Sequence, residues 1–252
     1  MTAAQSMLSQ KALEDVLGFK VLDFSKFVVV FTHKSAMKQT NGDSYERYEF
    51  IGDAVINFVV AKLLYDMHPS ADEGFLTRVR TKLVSGKCLS QLAWNLGLHH
   101  FVIMNPRSMR NGFNTNPRIL EDVFEALVGC IYLQHGMMTA KTFLLSVFER
   151  FVDFRDILRD TNYKDGIMRY AQARGHPLPE YTVVNTQSDC NAAAFVVHVS
   201  MCGHTGRGAG SSKKQAEQEA ARHLLFMLGG LTKDGDVCGS ANASPRASKS
   251  LS

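Results

Sequence analysis

From its start to about Phe154 the chain is patterned as helices. Apolar residues recur at i, i+3 and i+4 in "LEDVLGF", "DAVINFVVAKLLYDM", "LTRVRTKLVSGKCLSQLAWNLGL" and "ILEDVFEALVGCIYLQHG". Breaks fall at "HPSADEG", at "NPRSMRNGFNTNP" and after Gly136, where glycine, proline and short polar side chains interrupt the period. No alternating strand-like run competes, so residues 8–155 are predicted to form an all-α domain. After the charged "RDILRDTNYKDG", a linker over 156–162, the pattern changes. "GIMRYAQARG" suits a short helix that "HPLP" stops, and "YTVVNT" and "AAFVVHVSM" are β-branched and partly alternating, as strands are. The glycine-rich "CGHTGRGAGSS" leads into an amphipathic helix, "KKQAEQEAARHLLFML". With one strand hidden near "HTGRGAG", residues 163–229 are predicted to form a small α+β domain of order α-β-β-β-α. The tail, 230–252, is small and polar and reads as disordered.

Bulk composition narrows the function without choosing it. The 252 residues are 45% hydrophobic and 21% charged, with a net charge of +4. The small excess hints at an anionic partner but leaves the argument to local placement. The longest apolar run is too short to cross a bilayer, and no basic segment followed by a long apolar core opens the chain. An intracellular, cytoplasmic protein with no membrane association is therefore expected. The five cysteines (Cys88, Cys130, Cys190, Cys202 and Cys238) are scattered and form no C-x-x-C pair. That spacing argues against a disulfide framework or a zinc site. His99 and His100 are adjacent, so on a helix they would point in different directions and read as surface residues.

The chemistry lies in two apolar helices that carry acids. In "SYERYEFIGDAVINFVV", Glu46, Glu49, Asp53 and Asn57 fall on one arc of a helix whose other faces hold Phe50, Ile51, Val55, Phe58 and Val59. Such a helix is predicted to be central in its domain, with Gly52 and Ala54 allowing close approach by another. In "ILEDVFEALVGCIYL", Asp122 and Glu125 stand three apart on one face among Ile119, Leu120, Val123, Phe124, Leu127 and Val128. If these helices pack together, four carboxylates converge: Glu49, Asp53, Asp122 and Glu125. A cluster of this kind repels itself unless protons or cations neutralise it, and hard divalent cations prefer oxygen ligands. The chemistry that follows is hydrolysis of a phosphodiester. The competing account is that these acids are solvated or pair with Arg47, Arg78, Arg80 or Lys82, and spacing alone does not separate the two.

A resemblance does. "YERYEFIGDAVINFVVAKLLY" resembles the signature segment of the ribonuclease III family, E-R-L-E-F-L-G-D-[AS]-[VI]-L, and "FTHKS" resembles the T-H-x-S segment upstream of it. "DEGFLTRVRTKLVSGKCLSQLAWNLGL" and "ILEDVFEALVGCIYLQHG" resemble its next two segments, in order and at matching distances over most of residues 10–154. The resemblance implies a homodimeric endonuclease that cuts double-stranded RNA with Mg²⁺ (Mn²⁺ able to substitute) and leaves short 3′ overhangs and 5′-phosphates. It assigns Glu49, Asp53, Asp122 and Glu125 to metal binding, Asp53 and Glu125 to catalysis, Glu46 to a supporting role and Phe50 to the dimer interface. Tyr48 and Ile51 replace leucines of the pattern, and none of the quartet is altered. The alternative is a protein that binds duplex RNA without cutting it and uses the nuclease fold to dimerise; the intact quartet argues against it.

The second domain resembles a double-stranded-RNA-binding domain. "HPLPEYTVV" matches the entry to its first strand, and "GRGAGSSKKQAEQEAARHLL" its G-x-G-x-S-K-K-x-A-x-x-A-A segment. The implied RNA contacts are Ser212, Lys213 and Lys214 at the start of the last helix, and Lys164, Met168, Arg169 and Gln172 at the first. Asn191 would lie in the loop between strands. The sequence departs from the pattern at Met168, where glutamine is common, at Asn191 in place of a histidine, and at Glu217 in place of a third lysine.

Overall fold

The computed structural model describes residues 8–39, 44–159, 161–185, 195–231, 235 and 237. Asn191 lies outside them, as does the tail apart from Gly230, Leu231, Gly235 and Val237. Those four depart from the disorder expected of the tail: Leu231 bridges to Val237, which is buried in the core of the second unit. The described residues fall into two compact units, divided along the chain between Ile157 and Leu158.

The first unit is helical. Its helices are α1 (Gln10–Leu17), α2 (Phe24–Val30), α3 (Glu46–Met67), α4 (Glu73–Leu83), α5 (Gly86–Asn95), α6 (Pro106–Arg110), α7 (Pro117–Phe151) and α8 (Phe154–Leu158). The run "LTRVRTKLVSGKCLSQLAWNLGL", apolar with one period, is two helices. α4 ends at Leu83, and Ser85 restarts the chain by accepting a hydrogen bond from the Cys88 N–H, which caps α5. "NPRSMRNGFNTNP", expected as a break, contains α6 and a 3₁₀ turn over Phe113–Thr115. The break after Gly136 is a kink inside α7, with Gly136 at φ 81° and ψ 174°, a backbone region essentially restricted to glycine.

The core of this unit is built from Phe27, Phe31, Phe124, Phe148, Leu13 and Ile56, all fully buried, and α3 packs most extensively on α7. The crossing is a backbone contact. A Cβ on Gly52 would collide with the carbonyl oxygen of Glu125, and one on Gly129 with that of Tyr48. Gly52 therefore does what the sequence predicts, while Ala54 is exposed and takes no part. α3 is central on one face only: Val55, Ile56, Val59 and Val60 are buried, whereas Phe50, Phe58 and Tyr65 are exposed.

The second unit contains α9 (Tyr163–Arg174), β1 (Glu180–Asn185), β2 (Phe195–Met201), β3 (His204–Gly210) and α10 (Lys213–Met227). The strands form one antiparallel sheet in the order β1-β2-β3. Ile167, Ala171, Val197, Val199, Ala220 and Leu224 fill its core. β3 supplies almost no side chain to that core. Gly206, Gly208 and Gly210 alternate on its buried face, and a Cβ on Gly206 or Gly208 would strike the backbone of α10. The α-β-β-β-α order matches the reading from sequence.

Candidate active site

The two acid-bearing helices start differently. Pro117 opens α7, with the Asn116 side chain accepting from the Arg118 N–H at 2.9 Å. α3 has no side-chain cap. It is anchored by Tyr45, whose N–H donates to the Thr32 carbonyl at 3.2 Å. Thr32 is fully buried and returns its hydroxyl to Val28 at 2.7 Å. The "FTHKS" segment thus fixes where α3 begins, and His33 and Ser35 within it are joined at 2.9 Å. Glu46 and Glu49 occupy the first turn of α3, where the free N–H groups favour negative charge.

Across the Gly52–Gly129 crossing the acids act on one another. Glu125 is pushed up to about 8, first by burial and then by the charges of Asp53, Glu121, Glu49 and Asp122. Glu49 is raised by burial and then by Asp122 and Glu46. Asp122 is raised by burial, which the hydrogen bond donated by the Tyr45 hydroxyl to Oδ2 at 3.3 Å partly offsets. Asp53 is exposed, and its Oδ1 accepts from Asn57 Nδ2 at 2.7 Å. Glu46 is exposed and lies 3.5 Å from Lys34 Nζ. In this unit Lys20 pairs with Glu14, Lys34 with Glu46 and Lys62 with Asp66, and these pairs include no member of the quartet. Lys82, one of the candidate partners, donates to the Ile157 carbonyl at 2.9 Å.

Two residues belong to this group that periodicity did not reveal. Glu121 raises both Glu125 and Glu49, and its carboxylate lies where a Cβ of Gly86 would be. Tyr45, 4% exposed, reads in sequence as one more aromatic core residue, yet its hydroxyl reaches Asp122. Only the position of Glu121, one residue before Asp122, could have flagged either.

The arrangement fits a hard cation by its chemistry. Carboxylate oxygens, several of them half-buried, are held near one another with too little positive charge beside them. Among the described residues no three histidine, cysteine, aspartate or glutamate side chains close as a ready-made cage. An open group of acids suits Mg²⁺, which keeps several waters and takes few carboxylates directly.

Residues 23–150 match the Ribonuclease-III-like family. A curated Ribonuclease 3 of Colwellia psychrerythraea is 34% identical over 215 residues, 84% of this chain and 79% of its own length. The chain belongs to the ribonuclease III family. As a ribonuclease III it also shares 40% identity over 229 residues with a putative protein of Paramecium bursaria Chlorella virus 1, covering 90% of this chain and 82% of the relative. Among solved structures, the nuclease domain of ribonuclease III from Campylobacter jejuni, described for flexibility in a region involved in dimer formation, aligns with a TM-score of 0.54. It is 34% identical and covers 56% of this chain and 97% of its own. Residues 163–228 match the double-stranded RNA binding motif, so this ribonuclease III carries a dsRNA-binding unit.

In that unit Ser212 caps α10 by accepting from the Gln215 N–H at 3.2 Å, and Lys213 and Lys214 follow it, both exposed. Gln172 is exposed on α9 and Met168 is half-buried. Two of the expected RNA contacts already have acidic partners: Lys164 binds Glu217 at 2.7 Å and Arg169 binds Asp165 at 2.9 Å. Among the described residues no helix is long and apolar enough to cross a membrane. His99 and His100 correct the reading from adjacency. In the 3₁₀ turn Leu98–His100 their ring centroids lie 3.9 Å apart, and His99 stacks on Trp94 at 4.3 Å.

Proposed function

We propose that this chain is a divalent-metal-dependent endoribonuclease that hydrolyses both strands of duplex RNA as a homodimer, leaving 5′-phosphates and short 3′ overhangs. The carrying observation is the elevation of Glu125 to about 8, first by burial and then by charges led by Asp53, which faces it across the Gly52–Gly129 crossing. A site that holds a proton so far above the ordinary carboxylate range holds a cation in its place when one is offered. Glu49, Asp53, Asp122 and Glu125 would hold Mg²⁺, with Mn²⁺ as a substitute. Held there, the metal would supply a nucleophile from its bound water and offset charge on the phosphoryl oxygens. Asp53 and Glu125 would be the acids that catalysis depends on most. Tyr45 orients the Asp122 carboxylate, and Glu46, exposed beside Glu49, supports from the rim.

In this reading residues 8–155 form the nuclease domain, 156–162 the connector and 163–229 the RNA-binding domain. The second unit grips duplex through the start of α10, where free N–H groups and Lys213 and Lys214 meet phosphates. α9 faces the shallow minor groove with Met168 and Gln172. Phe50, 81% exposed, supports the dimer. It lines a cleft of about 570 Å³ with Leu133, Ile51 and Tyr48, the kind of exposed apolar surface that marks an interface.

The test incubates the purified chain with a long RNA duplex in Mg²⁺ or in EDTA, beside a Glu125→Gln variant. Cleavage is expected only with metal, and the variant is expected to lose roughly a hundredfold or more in rate. Equal cleavage by the variant, or none by the unaltered chain with metal, removes the assignment.

A further inference from the structure

In the second unit, the start of α9 is stitched to the first turns of α10. Gln218 Nε2 donates to Asn162 Oδ1 at 2.9 Å, and the Lys164 N–H donates to Gln218 Oε1 at 3.1 Å. These bonds hold the Lys164 side chain against α10. Its Nζ donates to Glu217 Oε2 at 2.7 Å and lies 4.8 Å from the centroid of the Tyr181 ring. The partners differ in exposure: the lysine side chain is 43% exposed and the glutamate 14%. The glutamate is therefore the more deeply held member of the pair.

On α10, Glu217 follows Lys213 by four residues and Lys214 by three, so it sits one turn behind them on the same side. A single acid thus stands between the exposed lysine pair of α10 and the lysine of α9. A phosphate arriving here meets Lys213 and Lys214 unencumbered but finds the charge of Lys164 already cancelled. To recruit Lys164 it must displace a carboxylate at hydrogen-bond distance, and the released carboxylate then faces the phosphate as a like charge.

We propose that Glu217 limits RNA affinity, acting as an internal competitor that withholds Lys164 from the phosphate backbone and so sets the strength and salt dependence of duplex binding. This rests on reading the second unit as a duplex binder. It predicts a module that is gripped chiefly at Lys213 and Lys214 and released easily, which suits a chain that must leave its products.

The experiment uses the full chain carrying Glu125→Gln to block turnover, with a fluorescent duplex longer than the ~16 base pairs such a module spans. Anisotropy is measured over a salt series. Adding Glu217→Gln is expected to lower Kd by about 3–10-fold near 0.1 M salt and to add roughly one phosphate contact to the salt slope. Lys164→Met alone leaves Glu217 facing the phosphate and is expected to weaken binding by about two- to threefold; adding Glu217→Gln to it is expected to return Kd to about that of the parent, with no phosphate contact added to the salt slope. Binding that is unchanged or weaker in Glu217→Gln, at an unfolding temperature like that of the parent, overturns the proposal, as does a Lys164→Met, Glu217→Gln double variant that binds tighter than the parent. If Glu217→Gln lowers the unfolding temperature and binding together, the pair is structural and the proposal falls. The Lys164→Met arm decides independently, because a tenfold loss there means that Lys164 already grips RNA. A parent chain that binds no duplex at any salt refutes the RNA-binding reading itself, which is a different outcome from a parent that binds and does not tighten.

Discussion

Glu125 is asked to be an anion in a place that resists anions. Its folded value of about 8 stands well above the ordinary 4.5, with burial the largest cause and Asp53 the next. The sign of the consequence follows from proton uptake. Between about pH 4.5 and 8 the folded, metal-free protein binds more protons than the unfolded chain, so its stability falls as pH rises. In EDTA the unfolding temperature is expected to drop by several degrees from pH 5 to pH 8, at about 2–4 °C per kcal/mol for a chain of this size. Glu125→Gln should flatten that slope and raise the unfolding temperature at pH 8, even as it removes activity. A metal-free unfolding temperature that holds or climbs across this window would falsify the coupling. At this scale the quartet was legible because an acid in an apolar helix is conspicuous. Glu121 was not, because its membership depends on Gly86, a residue of another helix, leaving room for its carboxylate. Tyr45 was hidden by its own ring, which counts as hydrophobic whether or not its hydroxyl is used.

Among the elements, the crossing of α3 and α7 is the one that places chemistry. Gly52→Ala inserts a methyl group into the Glu125 carbonyl, and the helices must separate to accept it. A loss of about 1–3 kcal/mol in stability is expected from urea unfolding. Cleavage by the protein that remains folded should fall by ten- to a hundredfold, since shifts near 1 Å in a site carry costs of that size. Unchanged kinetics in a fully folded variant would mean that the acids do not depend on this spacing. The helices were legible because their faces are painted with side chains. The division between α4 and α5 was not, since the apolar period runs through Val84 and only the Ser85 cap marks the restart. β3 was placed near "HTGRGAG" by fold order alone. Its buried face is written in glycine, and a pattern made of missing side chains leaves no trace in hydrophobicity.

For the whole molecule, the proposed dimer rests on the exposed aromatic surface of α3. Phe50 and Leu133, 81% and 59% exposed, share one cleft. Phe50→Glu is expected to shift sedimentation from a dimer to a 28.0 kDa monomer, without lowering helix content. Cleavage of both strands in one encounter should give way to single nicks or to no cutting. A dimer that persists in Phe50→Glu moves the interface elsewhere. The all-helical unit and the α-β-β-β-α unit were both legible, because each is announced by a change of period. That α3 would be only half covered was not, since a sequence apolar on every side does not say which side stays exposed. One further consequence attaches to the glycine contact between α3 and α7. Their separation is gauged by peptide units, which are the same in every protein, and not by leucines and phenylalanines, which mutation can trade. The rest of the core is free to drift over generations while the gap between the two sets of acids keeps its calibration.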